Sequence, residues 1–333
     1  MKKVTDFALV VSSFFHDYLP SIRNLSKNSI KAYRDTFRLL LVFFQTKYNM
    51  LPEKLSLKNI TRDTMIQYLE WLQKDRNCSN TTRNMRLASL HSFCRYLQFK
   101  DPGMLQKSQE ILSIPIKKTH KTIIQYLTVS QTKLLLEQPD TTNKKGRRDL
   151  VLMSVLYDTA ARVQEICGLK VRDIRLESPS LIRLTGKGCK SRNVPILGNT
   201  VSLLKTYMNE FGLNQEGKQD MPLFFNQRFT ALSRGGVTHI LQKYSKNIKG
   251  LSKKITPHVL RHSKAMHLLQ AGINILLIRD ILGHVSIKTT EMYARIEIET
   301  KRKVLEEAYP DIIKSDLPDW NMDERLIDFL ESL

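Results

Sequence analysis

Apolar side chains recur at helical spacing from residue 6 to about residue 100 and predict four helices separated by short polar breaks. The second helix begins after Ser26, the third begins at Thr61, and the fourth begins near Ser79. Serine and threonine at these points can accept hydrogen bonds from the free N–H groups of a first helical turn. The pattern predicts a small all-helical bundle, which we place at residues 1–112.

The periodic pattern disappears after this bundle. Residues 113–126 contain a proline and several lysines, but they show neither helical nor alternating spacing of apolar positions. Such a composition is typical of a connection between domains. We therefore predict a linker at residues 113–127.

Helical spacing resumes after Thr128 and predicts further helices, including a largely apolar one at residues 149–158. Between these helices, residues 180–185 and 191–196 alternate between apolar and polar side chains, which predicts two paired strands. The elements indicate a mixed α+β domain at residues 128–305. The whole chain is expected to be mainly α-helical, with one small β-hairpin.

Four polar side chains lie near the ends of three helices predicted within residues 256–295. His258 and Arg261 share one face of the first turn of the first helix, His284 directly follows the second, and Tyr293 lies about two turns into the third. Cap signals at Thr256, Gly272, Gly283 and Ser286 mark helix ends, and the second helix is predicted at residues 274–282. Because N–H groups at a helix N-terminus favour an anion, the segment indicates a phosphate site.

The motif HxxR, followed by LGH and by a tyrosine nine residues later, resembles the catalytic box of the tyrosine recombinases, the phage-integrase and Xer-type family. Upstream, ARVQEI at residues 161–166 resembles the first arginine motif of this family, and GKG at residues 186–188 resembles its lysine β-hairpin. The resemblance implies that the helical bundle is a DNA clamp. It also implies six catalytic residues, namely Arg162, Lys187, His258, Arg261, His284 and Tyr293.

The resemblance implies that Tyr293 attacks a DNA phosphodiester and becomes joined to a 3′ phosphate. The two arginines and His284 would bind the phosphate oxygens. His258 is the expected acceptor of the tyrosine proton, and Lys187 is the expected proton donor to the departing 5′ oxygen. Because the phosphotyrosine keeps the energy of the broken bond, neither ATP, nor a metal ion, nor another cofactor is expected.

Two alternatives concern the residues of the upstream motifs. Arg162 could instead form a structural ion pair with Glu165 or Asp173. In the predicted hairpin, Lys190 is close enough in sequence to Lys187 to be an alternative catalytic lysine.

Two histidines have a spacing that can hold zinc. His258 and His262 lie four residues apart, but Val259 stands where a zinc protease has its glutamate, and no third ligand is evident. No metal site is therefore predicted. His262 and His267 are expected to be structural or to face solvent.

The charge of the chain indicates a polyanionic partner, because the formal net charge is +21 and the pI is near 9.8. Double-stranded DNA is favoured over a membrane surface, since no apolar run is long enough to span a bilayer. The candidate DNA contacts, each of which could equally be a solvated cation, are Lys27, Lys31, Arg34, Arg83, Arg86, Lys190 and Arg192. The four cysteines show no CxxC spacing, so a reducing cytoplasm is expected.

The end of the chain differs in charge from the rest. Residues 306–333 hold nine acidic and two basic side chains, a net charge of −7, so the preceding residues carry +28. Such a tail would be repelled by DNA, and its last ten residues have apolar positions at helical spacing. We expect this tail to be exchanged between protomers of a homotetramer, with packing on its own domain as the alternative.

The sequence thus predicts a site-specific DNA recombinase, with an integrase or transposase of a mobile element as the favoured role. An Xer-like resolvase of chromosome or plasmid dimers is the first alternative. A type IB topoisomerase and a DNA-binding protein without catalysis are the others. Accessory recombination factors are candidate further partners.

Overall fold

The computed structural model describes residues 4–119, 124–186, 188, 190–248, 251, 255–284, 286, 290, 293 and 324–331. The chain divides into two compact units, Met1–Thr122 and Ile123–Leu333. Each unit has its own apolar core.

Helices are the regular secondary structure among the described residues of the first unit. Its α-helices are α1 (Asp6–Ser13), α2 (Lys27–Tyr48), α3 (Arg62–Lys74), α4 (Asn80–Lys100) and α5 (Leu105–Leu112), and a π-helical segment spans Phe14–Ile22. The predicted starts of three helices are confirmed, because the side chains of Ser26, Thr61 and Ser79 accept hydrogen bonds from the first turns of α2, α3 and α4. Helix α5 was not predicted.

An aromatic cluster holds the first unit together. The Phe14 side chain is completely buried, and its ring centroid lies 5.2 Å from that of Phe93 and 5.9 Å from that of Phe37. Phe37 and Phe93 are themselves 5.0 Å apart in a perpendicular arrangement. Such edge-to-face contacts add to the stabilisation from burial. The π-helical segment is therefore fixed against α2 and α4.

The predicted linker at residues 113–127 differs from the structure in its first part. The Arg83 guanidinium donates to the Pro115 carbonyl at 2.8 Å, and the Asn84 side-chain amide donates to the Lys117 carbonyl at 2.8 Å. Ile114 is buried in the core of the first unit. Residues 114–117 therefore belong to the helical unit, since their backbone is bonded to α4. Hydrogen bonds to backbone carbonyls leave no periodic pattern that the sequence could reveal.

The second unit combines helices with a small sheet, as the sequence predicts. Its helices are α6 (Val129–Leu136), α7 (Lys144–Thr159), α8 (Val163–Cys167), α9 (Gly198–Glu210), α10 (Arg234–Ser245), α11 (Pro257–Gln270), α12 (Ile275–Leu282) and a C-terminal helix (Glu324–Glu331). Largely apolar α7 lies in the centre of the core, where Leu152, Met153 and Val155 are fully buried. No helix among the described residues is both long and apolar enough to cross a membrane.

The sheet has three antiparallel strands in the order β1 (Ile174–Arg175), β2 (Leu181–Thr185) and β3 (Ser191–Pro195). The register pairs Ile182 with Val194, and both side chains are buried, which confirms the predicted hairpin. Strand β1 was not predicted, because two residues are too few to show alternation.

Only part of the segment after α12 can be compared with the prediction. Thr290 and Tyr293 have helical backbone, whereas most of the helix predicted after Ser286 lies outside the described residues. Residues 306–323 of the acidic tail also lie outside them. In the C-terminal helix, the Ile327 and Leu330 side chains are exposed.

Candidate active site

Helix α11 presents Arg261 to the interior of the second unit. Thr256 caps the helix, with Pro257 at its first position, and this fixes the face on which Arg261 lies. The guanidinium is 3% exposed and donates to the carbonyls of Ala160 and Leu282, each at 2.6 Å. Arg261 thus ties the end of α7 to the end of α12.

Arg162, which directly precedes α8, also reaches the C-terminal end of α12. Its guanidinium donates to the Gly283 carbonyl at 2.9 Å and to Glu165 at 3.0 Å. Arg192 of β3 donates in turn to the Ile281 carbonyl at 2.9 Å. Three arginines from three elements therefore donate hydrogen bonds to three consecutive carbonyls. These carbonyls lie at the C-terminal end of α12, where the peptide dipoles favour positive charge.

Gly283 is required for this close approach. It ends α12 with a φ of +62°, a left-handed conformation that glycine adopts without steric cost. A Cβ atom at this position would lie 2.8 Å from an Arg192 guanidinium nitrogen. A side chain here would therefore push Arg192 away from α12.

Glu165 is the one carboxylate among the described residues that contacts these arginines. It is 4% exposed, and each of its oxygens accepts from Arg192, at 2.8 and 2.9 Å. Burial opposes ionisation, but the hydrogen bonds from Arg192 and Arg162 outweigh it and hold the pKa of Glu165 below its ordinary value. Arg162 therefore forms the ion pair with Glu165 that the sequence offered as an alternative, and it donates at the same time to the Gly283 carbonyl.

Replacing Glu165 with glutamine is expected to lower the free energy of unfolding by about 3 kcal/mol at neutral pH. This value is at the lower end of the destabilisation usual for breaking a buried ion pair, because Arg162 is partly exposed. A lowered pKa stabilises the fold above the unfolded value of about 4.3, and this contribution disappears as the pH falls through the folded value. The difference from wild type should therefore shrink below about pH 4. Urea unfolding across this pH range measures it.

Glu177→Gln is the matched control, since Glu177 is exposed in the same unit. Its effect should stay within about 0.5 kcal/mol. An equally small effect of Glu165→Gln at neutral pH would contradict the structural role assigned to this carboxylate.

Tyr293 lies beside α11. Its side chain is 2% exposed and packs in an apolar cluster with Ala265, Met266 and Leu282. Burial raises the pKa of the Tyr293 phenol, although the charge of Arg261 opposes this. The phenol oxygen lies 2.6 Å from Nδ1 of His262.

Three histidines surround these groups. Burial, together with the charges of Arg261, Arg162 and Arg192, lowers the pKa of His284 to about 4. His258 is exposed overall, but partial burial of its ring also lowers its pKa, again together with the charges of Arg261 and Arg162. At neutral pH both imidazoles are therefore uncharged, and each can accept a proton or a hydrogen bond. Nδ1 of His284 lies 2.9 Å from the Thr290 hydroxyl.

A cleft of about 560 Å³ opens beside the arginines. It is lined by Arg162, Gly186, Lys190, Ser191, Arg192, Arg279, Asp280, Gly283 and His284. The predicted catalytic lysine, Lys187, lies outside the described residues, whereas Gly186 and Lys190 line this cleft.

The residues predicted to contact DNA fall into two groups. Lys27, Lys31, Arg34 and Lys190 are exposed. Arg83 and Arg86 instead donate to backbone carbonyls of their own unit, at Pro115 and Ala32, and the Arg192 guanidinium is held by Glu165. The guanidinium groups of this second group are thus occupied inside the protein.

Sequence reasoning missed two parts of this site. His262 was expected to be structural or to face solvent, and it is half-buried, but its hydrogen bond to Tyr293 was not foreseen. The pairing of Glu165 with Arg192 was also unforeseen. The separations are 31 and 27 residues, so no local spacing could reveal either contact.

Comparison with known proteins agrees with this arrangement. Residues 125–299 match the phage integrase family, and residues 13–100 match the phage integrase N-terminal SAM-like domain. The chain is 34% identical over 338 residues to a Sinorhizobium fredii protein provisionally named integrase/recombinase y4rC, with 100% of both chains covered. It is 35% identical to the tyrosine recombinase XerC of Herpetosiphon aurantiacus, covering 85% of this chain and 89% of the relative.

A solved structure, XerH site-specific recombinase in a pre-cleavage complex with its difH substrate, has a TM-score of 0.65 to this chain at 26% identity. The match covers 87% of this chain and 84% of XerH. The sequence matches, the shared fold and the convergence of the arginines, histidines and Tyr293 lead to one conclusion: the chain belongs to the phage integrase family, the tyrosine recombinases.

Proposed function

We propose that this protein is a site-specific recombinase that breaks and rejoins double-stranded DNA through a 3′-phosphotyrosine at Tyr293. One observation carries the proposal: three arginines converge on the end of α12, and a buried tyrosine packs against the same helix end. Three guanidinium charges face one carboxylate, so the site keeps excess positive charge next to the phenol. That charge suits a phosphodiester and the additional negative charge of its transition state.

The proposed roles follow from these positions. Arg162 and Arg261 have planar groups of N–H donors that can bind the two nonbridging phosphate oxygens. When Nδ1 of His284 accepts a hydrogen bond from the Thr290 hydroxyl, the ring proton lies on Nε2, and this N–H can donate to the same phosphate. The exposed His258, at the first turn of α11, also lies where it can act on the phosphate or the phenol.

The reaction balances without a metal ion or ATP. The Tyr293 oxygen forms a bond to phosphorus and gives its proton to a neighbouring histidine, while the bond from phosphorus to the 5′ oxygen breaks and Lys187 donates a proton to that oxygen. A 5′ hydroxyl of another strand can then attack the phosphotyrosine, which restores the phosphodiester and frees the phenol. The phosphotyrosine keeps the bond energy, so no outside energy source is required.

We propose duplex DNA as the partner, bound in part through the exposed cations Lys27, Lys31 and Arg34 of α2. Two duplexes with four cleavage points require four active sites, so the working form is a homotetramer. The acidic tail would join protomers, and its exposed Ile327 and Leu330 side chains would pack against the neighbouring protomer. The free thiols of Cys78, Cys94 and Cys167 fit a reducing cytoplasm.

For the biological role, we propose the integrase or transposase of a mobile element. Full-length similarity to the y4rC protein favours this role. Relatives named XerC support an Xer-like resolvase as the alternative, because the chain covers most of their length as well.

A plasmid assay tests this function and separates the two roles. One substrate carries the DNA ends that flank the coding segment of the protein, and a second carries directly repeated sites from the chromosomal terminus region of the host. With EDTA present and ATP absent, we expect the first substrate to yield a joined circle of the intervening DNA. Joining of the second substrate alone would support the resolvase, and a requirement for ATP or a divalent ion would contradict the mechanism.

A further inference from the structure

The hydroxyl of the proposed nucleophile has a partner that the six-residue motif does not include. His262 follows Arg261 on α11, and its Nδ1 lies 2.6 Å from the Tyr293 oxygen. The two ring centroids are 5.7 Å apart with an angle of 56° between the planes, so the contact is a hydrogen bond in which the rings do not stack. Among the described residues, no hydrogen bond joins Tyr293 to His258, the residue first expected to accept its proton.

The surroundings of His262 keep its imidazole uncharged. Burial, together with the charge of His258 when it is protonated and the charge of Arg261, lowers the pKa of His262 to about 4. Besides these two groups and Tyr293, His284 faces it electrostatically from the end of α12. The imidazole is therefore neutral at pH 7, and the phenol keeps its proton. When the ring proton of His262 lies on Nε2, Tyr293 donates to Nδ1, and this is the tautomer that can accept the phenol proton.

Bound DNA would raise the pKa of His262. The phosphodiester anion would lie against Arg261 and offset its positive charge, which is one of the charges that lower the pKa of His262. The imidazole would then become more basic when the phosphate is in place. A base whose pKa lies closer to the working pH accepts a proton more effectively.

We propose that His262 is a further catalytic residue, which takes the proton of Tyr293 as the phenol oxygen attacks phosphorus. The inference rests on the proposed recombinase function. In cleavage, the proton moves from the Tyr293 oxygen to Nδ1 of His262 while the oxygen–phosphorus bond forms and the 5′ oxygen leaves with a proton from Lys187. In rejoining, the His262 imidazolium returns the proton to the departing phenol oxygen. His258 is then free to bind a phosphate oxygen.

The test measures the single-turnover rate of covalent adduct formation on nicked duplex DNA between pH 5 and 9. His262→Asn keeps an acceptor oxygen near the position of Nδ1 but cannot take a proton. General base catalysis typically contributes 10²–10⁴-fold, so we expect this variant to be about 100-fold slower at pH 7. Its rate should rise with pH as the phenol ionises unaided, so that the gap to wild type narrows at high pH.

His267→Asn is the matched control. His267 is also half-buried on α11, where it lies 2.8 Å from the Tyr157 hydroxyl, away from the nucleophile. Its rate and pH profile should stay close to those of wild type. A His262→Asn protein with the wild-type rate and profile would overturn the inference.

Wild-type protein supplies a second, independent measurement if the variant does not fold. With His262 as base, the rate should rise with pH and reach a plateau once the imidazole is neutral. A tenfold rise per pH unit continuing to pH 9 would show that solvent removes the proton, and would refute the role of His262. If wild type forms no adduct with any substrate, the recombinase function itself fails, which is a distinguishable outcome.

Discussion

Replacing Tyr293 with phenylalanine is expected to abolish covalent attachment of the protein to DNA. The substitution removes only the hydroxyl, and phenylalanine fits the apolar cluster of Met266, Ile278 and Leu282 that surrounds the ring. The loss of the hydrogen bond to His262 should change the free energy of unfolding by about 1 kcal/mol, so the variant stays folded and binds DNA. A denaturing gel of nicked DNA incubated with each protein in EDTA measures the adduct.

Tyr157→Phe is the matched control for this substitution. Its hydroxyl also bonds to a histidine of α11, with 2.8 Å between the Tyr157 oxygen and Nδ1 of His267. The control therefore loses a similar hydrogen bond without touching the proposed nucleophile, and it should form adduct at a rate close to that of wild type. Adduct formation by Tyr293→Phe at any substantial rate would mean that another group attacks the phosphate.

Replacing Arg261 with lysine is expected to reduce the cleavage rate by about 10²–10³-fold, the usual effect of removing one donor that stabilises a developing negative charge. Lysine keeps the charge but has a single nitrogen, which cannot reach the Ala160 and Leu282 carbonyls together and also bind phosphate. One buried carbonyl is left without its donor, so stability should also fall by about 1–3 kcal/mol. Single-turnover cleavage and urea unfolding measure the two effects.

Arg147→Lys serves as the control for this second substitution. Arg147 also makes a paired contact, with Glu210, but it is partly exposed and outside the site. Its cleavage rate should remain near that of wild type. If Arg261→Lys cleaves DNA as fast as this control, Arg261 does not stabilise the transition state.

The parts of the fold that local chemistry determines could be predicted from the sequence. Ser26, Thr61 and Thr256 each accept a hydrogen bond from the first turn of the helix that follows, and the alternation around Ile182 and Val194 determines the hairpin register. Helix α7 begins at Lys144, five residues before its predicted start, because polar residues occupy its first turn, which is capped by Asn143.

The parts that depend on distant contacts could not be predicted. Residues 114–117 resemble a linker, since their structure comes from side chains of α4 bonded to their carbonyls. Within the site, family resemblance predicted catalytic roles for Arg162, Arg261 and Tyr293, which lie close enough to interact electrostatically. The same resemblance could not identify Glu165 as the shared partner of Arg162 and Arg192, or His262 as the partner of the phenol, because those contacts form only in the folded chain.

Mass spectrometry of the trapped adduct tests the central claim most directly. Wild-type protein is captured on a nicked duplex in EDTA, and the complex is digested with nuclease and trypsin. Trypsin releases residues 289–295, TTEMYAR, in which Tyr293 is the one tyrosine. We expect this peptide to carry a nucleotide joined through its 3′ phosphate to the Tyr293 oxygen. A nucleotide found on a different residue, or joined through its 5′ phosphate, would contradict the account.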